Sequence, residues 1–398
     1  MKHLLRKVRS LYTFDFFLLN ILHAFNDGYR ISIVLFLPFI AKDLNLDLTT
    51  VGFLGSVFST LGIIFAIPAG QIALKIGGMR TLIFAMFLYA IGFLLTGFAS
   101  NTSILILTFI IAGFGFSIFH PIGFALVAKW ASKENRGQQI GTFSAWGEIG
   151  KIGIASAVTF VIGYLGWRYA SAVYAIPALL IACCVLWYFS KHIHPDAVKE
   201  KQSPHIRFRE ILKHHAFVIT LIAGFFDVIA SSALLLFLPF LLLEQGISAT
   251  IIGLYAAAYF VGNLIGKTYI GKFVDRWGSK TLFIFSEVAM AIGIVLLLST
   301  NDPIVLFIST LFVGAFSLGT VPAIQAMVSE SSEHHGNFEK SFAVSSLVAS
   351  IAAAMAPFSL GVISDAFSIQ MAFFMMAFFA ILAAIPASIL VFQLRDKK

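Results

Sequence analysis

Charge is what this sequence has least of. Asp, Glu, Lys and Arg make up 12% of its 398 residues, about half the roughly 25% of a soluble globular domain. With 59% hydrophobic residues and repeated apolar runs of about 20 residues, that scarcity excludes a soluble enzyme and specifies a polytopic membrane protein. Cysteine is nearly absent: Cys183 and Cys184 are neighbours in one apolar run, so no disulfide or metal framework is expected. The adjacent loop histidines His334 and His335 lack a spaced third ligand, and no metal site is assigned. A GxxxxGK[ST] phosphate loop is missing, which removes ATP-driven pumping. No nucleophile–base constellation stands out, so neither an enzymatic reaction nor a cofactor is expected.

The positive balance, a formal net charge of +8, is a matter of orientation rather than of nucleic acid. Most Lys and Arg fall in the N-terminus, the even-numbered connections and the C-terminus; only Lys42 and Arg168 fall on the opposite side, while Arg30, Lys151 and Lys267 lie within spans. By the positive-inside rule both termini are cytoplasmic, in a bacterial inner membrane, with the lipid bilayer as the surrounding partner. Residues 1–15 are basic and precede an apolar run, as in a signal peptide. The run is too long, carries charges and lacks a small-residue cleavage site, which predicts an uncleaved first helix.

Hydropathy predicts an all-α fold of twelve transmembrane helices, at about 14–41, 50–74, 80–99, 103–128, 138–165, 167–190, 216–243, 249–271, 280–300, 303–328, 341–365 and 370–394. Residues 191–215 are polar and basic and form a cytoplasmic linker, within which 206–212 can make a short amphipathic surface helix. The linker separates an N-terminal half, 1–190, from a C-terminal half, 216–398. The halves repeat at an offset of 201: Phe36-Leu37-Pro38-Phe39 recurs as Phe237-Leu238-Pro239-Phe240, Gly70 and Gly77 as Gly271 and Gly278, and Pro121 as Pro322. Asp27 is nearly matched by Asp227. Two six-helix pseudo-repeats are a transporter architecture, with the site expected at the midplane.

The first span carries Asn20, His23, Asp27 and Arg30, which at 100° per residue fall within about 80° of one another. An ionised side chain facing lipid costs roughly 2.5–3.5 kcal/mol even on the lenient insertion scale. The stripe therefore faces protein or water. Asp27 and Arg30 are spaced to pair along the helix, and Glu148 and Lys151 repeat that spacing in the fifth span, among Gly147, Gly150 and Gly153. His120 precedes Pro121 in the fourth span, where proline frees a carbonyl one turn earlier; proton relay, anion contact and a bond to that carbonyl are all open to it. Asp227 reads as an isolated acid in an apolar span, suited to carrying a proton.

The loops 70–80 (GQIALKIGGMR) and 271–280 (GKFVDRWGSK) resemble the Gly-x-x-x-Asp-Arg-x-Gly-Arg/Lys signature of the major facilitator superfamily (MFS). The second copy fits at Gly271, Asp275, Arg276, Gly278 and Lys280; the first has Leu74 and Lys75 in place of Asp and Arg. The resemblance implies a cytoplasmic gate latched by the loop aspartate, a role carried over only to Asp275. Gly166-Trp167-Arg168 is similar to the turn before the sixth span in many members. Phe119-His120-Pro121 is similar to the fosmidomycin-resistance branch, which exports small anionic antibiotics, although Ile122 replaces the acid that follows the proline there.

Together these features imply a proton-coupled secondary transporter working by alternating access. Asn20, His23, Arg30, His120 and Lys151 are the candidate substrate-binding residues, and Asp27, Glu148 and Asp227 the candidate proton-coupling residues. Gly271, Asp275, Arg276, Gly278, Pro121 and Pro322 are candidates for gating. Lys267, Glu287, Asn263 and Gln325 carry less weight. The cavity charge favours a small anionic or zwitterionic solute, such as a phosphonate, carboxylate or siderophore. The alternatives are an efflux antiporter for lipophilic cations and a membrane sensor or assembly factor that moves nothing. A monomer is the expected state, since two six-helix halves already enclose a cavity.

Overall fold

The computed structural model describes residues 2–131, 136–191, 214–332 and 338–390. Among them the helices are α1 (Lys2–Leu44), α2 (Leu48–Ile76), α3 (Gly78–Gly97), α4 (Thr102–Trp130), α5 (Arg136–Gly150), α6 (Ser156–Lys191), α7 (His215–Ser231), α8 (Leu234–Glu244), α9 (Ile252–Trp277), α10 (Ser279–Leu298), α11 (Pro303–Ser317), α12 (Val321–Ser332), α13 (Phe338–Ala366) and α14 (Ile369–Ile389). No strand occurs among the described residues. Among the described residues, eleven stretches are long and apolar enough to cross a membrane. One of them, Gln138–Lys191, holds two crossings, because α6 breaks at Gly166, whose φ of 73° suits glycine alone. The fold is therefore all-α and multi-pass, with twelve crossings among the described residues. Most of the linker, the 206–212 segment, His334-His335 and the Asp275 side chain lie outside the described residues.

The chain forms two compact units, Met1–Leu46 with Val57–Gln202, and Asp47–Ser56 with Ser203–Lys398. In the first, α1 is the most enclosed helix: 78% of a membrane-length segment of it is buried, against 28% in the 138–191 stretch. This is where a helix with a polar stripe has to be. An aromatic cluster of Tyr29, Phe36, Phe93 and Tyr174 packs beside it. Tyr29 donates to the Tyr174 carbonyl (2.6 Å), and Tyr174 to that of Ile154 (2.9 Å). Ile154 belongs to a π-turn, Lys151–Ala155, that joins α5 to α6. Such turns leave carbonyls in need of donors and are frequent at functional sites. Just before it, a Cβ on Gly150 would collide with the Ala24 carbonyl, so glycine is what lets α1 and α5 touch through their backbones.

In the second unit, α7, α9, α10, α12 and α14 share a core that includes Ala223, Ile270, Phe283, Met327 and Ala383. Two spans are interrupted here, at 232–233 between α7 and α8 and at 318–320 between α11 and α12. Pro322 consequently does not kink a continuous helix as Pro121 was paired with it to do. It stands in the first turn of α12, where its missing N–H costs nothing, whereas Pro121 lies inside the unbroken α4. Asp365 accepts from the amides of Leu48 and Thr49 (2.9 and 2.6 Å) and so caps the start of α2 within this unit. Asp47, whose carboxyl is held below its usual range by hydrogen bonds from Thr50, caps the same turn. The repeat persists in the backbone: Gly77 and Gly278 have φ of 92° and 83° and the same ψ of 147°.

Candidate functional site

The polar stripe of α1 meets α4, α5 and the π-turn in a single charged cluster inside the first unit. Asp27 is at its centre. Its Oδ2 is 3.2 Å from Lys151 Nζ, and its Oδ1 is 3.1 Å from His120 Nε2 and accepts from Asn26 Nδ2 at 3.0 Å. Lys151 also binds Glu148 Oε1 at 3.1 Å, so one ammonium bridges two buried carboxylates. The Glu148–Lys151 spacing thus forms the ion pair its sequence suggested. The expected Asp27–Arg30 pair does not form. Asp27 is taken by Lys151 and His120, which reach it from neighbouring helices with better geometry than a residue one turn along α1 allows.

Arg30 instead lays its guanidinium over Phe116 of α4, 4.4 Å from the ring centre. It is half-buried and forms no ion pair among the described residues. Asn20 is buried one turn before His23.

His23 is buried between Phe119 and Phe143 and hydrogen-bonds the Phe143 carbonyl through Nδ1 at 2.6 Å. A carbonyl only accepts, so Nδ1 carries the proton and Nε2 is the ring's free lone pair in the neutral form. That Nε2 lies 3.4 Å from His120 Nε2 and 3.6 Å from Asp27 Oδ1. His120 therefore turns to the cluster, not to the carbonyl freed by Pro121, and its Nδ1 has no partner among the described residues. The sequence suggested no metal framework, yet His23, Asp27 and His120 bring three ligand atoms together.

A second polar centre lies inside the second unit. Asp227 of α7 and Glu287 of α10 are both buried and interact with each other. Asp227 is thus not the isolated acid the sequence suggested. Its acceptor Oδ1 receives Thr320 Oγ1 at 3.3 Å, from the break before α12. Neither oxygen of Glu287 meets a donor, and neither acid pairs with a cation, among the described residues. Of the gating candidates, Gly271 lies beside Pro322, Arg276 is exposed, and Gly278 makes the α9–α10 turn. Asn263 is buried, Lys267 half-buried and Gln325 exposed.

Sequence reasoning missed Asn26, Phe116 and Thr320 and undervalued Glu287. Asn26 was detectable as the neighbour of Asp27. Glu287, an acid in mid-span, carried the same signal as Asp227 but lacked a repeat partner. Nothing in the sequence marks the Phe143 carbonyl.

The sequence pattern of the Major Facilitator Superfamily matches this chain over residues 16–226 and 220–398. A putative metabolite transport protein of Haemophilus influenzae is 28% identical over 327 residues, covering 76% of this chain and 78% of that protein. The benzoate transport protein of Acinetobacter baylyi is 23% identical over 338 residues, covering 74% and 71%. In three dimensions the chain is similar to a mutant of the nucleoside transporter NupG, with a TM-score of 0.79 at 15% identity, covering 94% of this chain and 98% of that one.

Proposed function

Because the chain belongs to the Major Facilitator Superfamily, and is on that ground a secondary transporter and not an enzyme, we propose that it moves a small organic anion or zwitterion, coupled to protons. The observation that carries this reading is Arg30. Asp27 and Glu148 are both in direct contact with Lys151, whereas the Arg30 guanidinium is half-buried on Phe116 and touches no carboxylate among the described residues. A half-buried cation with no direct ion-pair contact has hydrogen-bond donors left for an anionic ligand, and a planar guanidinium over an aromatic ring suits a carboxylate or phosphonate. His23, His120, Asn20 and Lys151 line the same stripe and cluster. The benzoate relative and the likeness of Phe119-His120-Pro121 to the fosmidomycin-resistance branch agree with this.

The proton is assigned to Asp227 with Glu287. Two carboxyls buried together without a cation cannot both be ionised at reasonable cost, so the pair holds at least one proton and can exchange it when exposed to water. Asp27 and Glu148, paired through Lys151, then set the geometry of the solute site and do not carry the coupling proton. Gly271, Asp275, Arg276 and Gly278 keep the gating role of the family loop. Both termini are assigned to the cytoplasm, in keeping with the basic loops. The same Asp227–Glu287 pair is the one feature that favours lipophilic cations as substrates.

The two readings separate in a thermal-shift screen of the purified protein against aromatic carboxylates, sugar acids, phosphonates and lipophilic cations, since a ligand of the folded state raises its melting point. Carboxylates or phosphonates should stabilise the protein, and Arg30→Ala should weaken that response by roughly 10- to 100-fold in ligand concentration. Stabilisation by lipophilic cations alone, equal in Arg30→Ala, would put the efflux reading first.

A further inference from the structure

We propose that His23, Asp27 and His120 form a binding site for one divalent transition-metal ion of the zinc class. The site is argued from its own geometry and does not depend on the identity of the solute. The three ligand atoms form a triangle with sides of 3.4 Å (His23 Nε2 to His120 Nε2), 3.1 Å (His120 Nε2 to Asp27 Oδ1) and 3.6 Å (His23 Nε2 to Asp27 Oδ1). Bonds of about 2.0–2.1 Å in a tetrahedron place neighbouring ligand atoms about 3.3 Å apart. The triangle is one face of such a tetrahedron, with no rearrangement of the helices required.

The outer contacts are those that orient metal ligands elsewhere. His23 is fixed by its Nδ1–H on the Phe143 carbonyl, which leaves Nε2 as the donor atom. Asp27 is held through its other oxygen, Oδ2, by Lys151, and so offers Oδ1 alone. The Asn26 amide steadies Oδ1 from the side. His120 in its neutral form presents Nε2 once its proton sits on Nδ1, an atom with no competing partner among the described residues.

The fourth position opens on the His120 side. Its side chain is 31% exposed, against 3% for His23 and 7% for Asp27. Three protein ligands with one open position is the arrangement of a site that exchanges a small ligand. Two imidazoles and one carboxylate select zinc, cobalt or nickel over calcium and magnesium, which take all-oxygen sets. The ion's added charge falls next to Glu148 and Asp27, two carboxylates that share the single ammonium of Lys151 and so leave one negative charge over within that set.

The test uses the full chain, purified in detergent and stripped with a chelator. Co²⁺ serves as the optical probe and Zn²⁺ as the competitor. One equivalent of Co²⁺ should give the intense visible absorption of a tetrahedral site, and Zn²⁺ should bleach it. His120→Gln and His23→Gln should each weaken binding by roughly 100-fold while the melting transition without metal persists. If His23→Gln does not fold, His120→Gln, with its half-exposed side chain, decides alone. Binding that survives in His120→Gln places the ion elsewhere and overturns the proposal. Absence of a tetrahedral band up to millimolar Co²⁺ also overturns it.

Discussion

The two halves of this chain descend from one pattern, yet their polar centres are built in opposite ways. In the first unit, Asp27, Glu148 and Lys151 satisfy one another, Asn26 and two histidines add hydrogen bonds, and α1 and α4 run unbroken past the cluster. In the second, Asp227 and Glu287 are buried and interact with each other, one threonine donates to Asp227, and the spans beside them are broken at 232–233 and 318–320. A charge set held by mutual ion pairs and hydrogen bonds fixes geometry, which is what recognition of a solute requires. Acids without a cation hold a proton that can leave, and broken helices supply backbone groups near them. On the function proposed above, the duplication separates binding from coupling, one task to each half.

That contrast can be broken by stability measurements. Lys151→Met leaves Asp27 and Glu148 without their shared cation and should cost about 3–5 kcal/mol, read as a large fall in melting temperature. Asp227→Asn removes an acid that no cation compensates and should leave the melting temperature near that of the wild type or above it. Equal losses from the two would erase the distinction between the centres. A smaller effect belongs to Thr320→Val, which deletes the hydrogen bond from Thr320 Oγ1 to Asp227 Oδ1 and should cost about 1 kcal/mol. With that donor gone the pair loses a contact to one of its carboxyl oxygens, so the pH dependence of transport should change. An unmoved pH profile would detach Thr320 from the coupling site.

Much of this was legible in the sequence because membrane insertion is a strong constraint. Span number, the all-α class and the internal repeat follow from apolar run lengths and from landmarks at one offset, and the Gly77/Gly278 turns show the repeat in φ itself. Glu148–Lys151 was legible because helical spacing alone brings i and i+3 together. Asp27 was harder. Spacing offered it Arg30, while the partners it takes, Lys151 and His120, come from other helices whose approach is set by Gly150 and by a π-turn that no residue pattern announces. The same holds for Glu287 beside Asp227, and for Asp365 capping α2. Tertiary distance, not residue type, decided each of these.

The division of labour is tested most directly in reconstituted vesicles, using a labelled carboxylate that stabilises the protein. Wild type and Asp227→Asn are compared for uptake driven by a pH gradient and for one-to-one exchange without a gradient. The account predicts that Asp227→Asn loses gradient-driven accumulation and keeps exchange. Undiminished accumulation in Asp227→Asn, with the wild-type response to pH, would contradict it and return the coupling proton to the first centre.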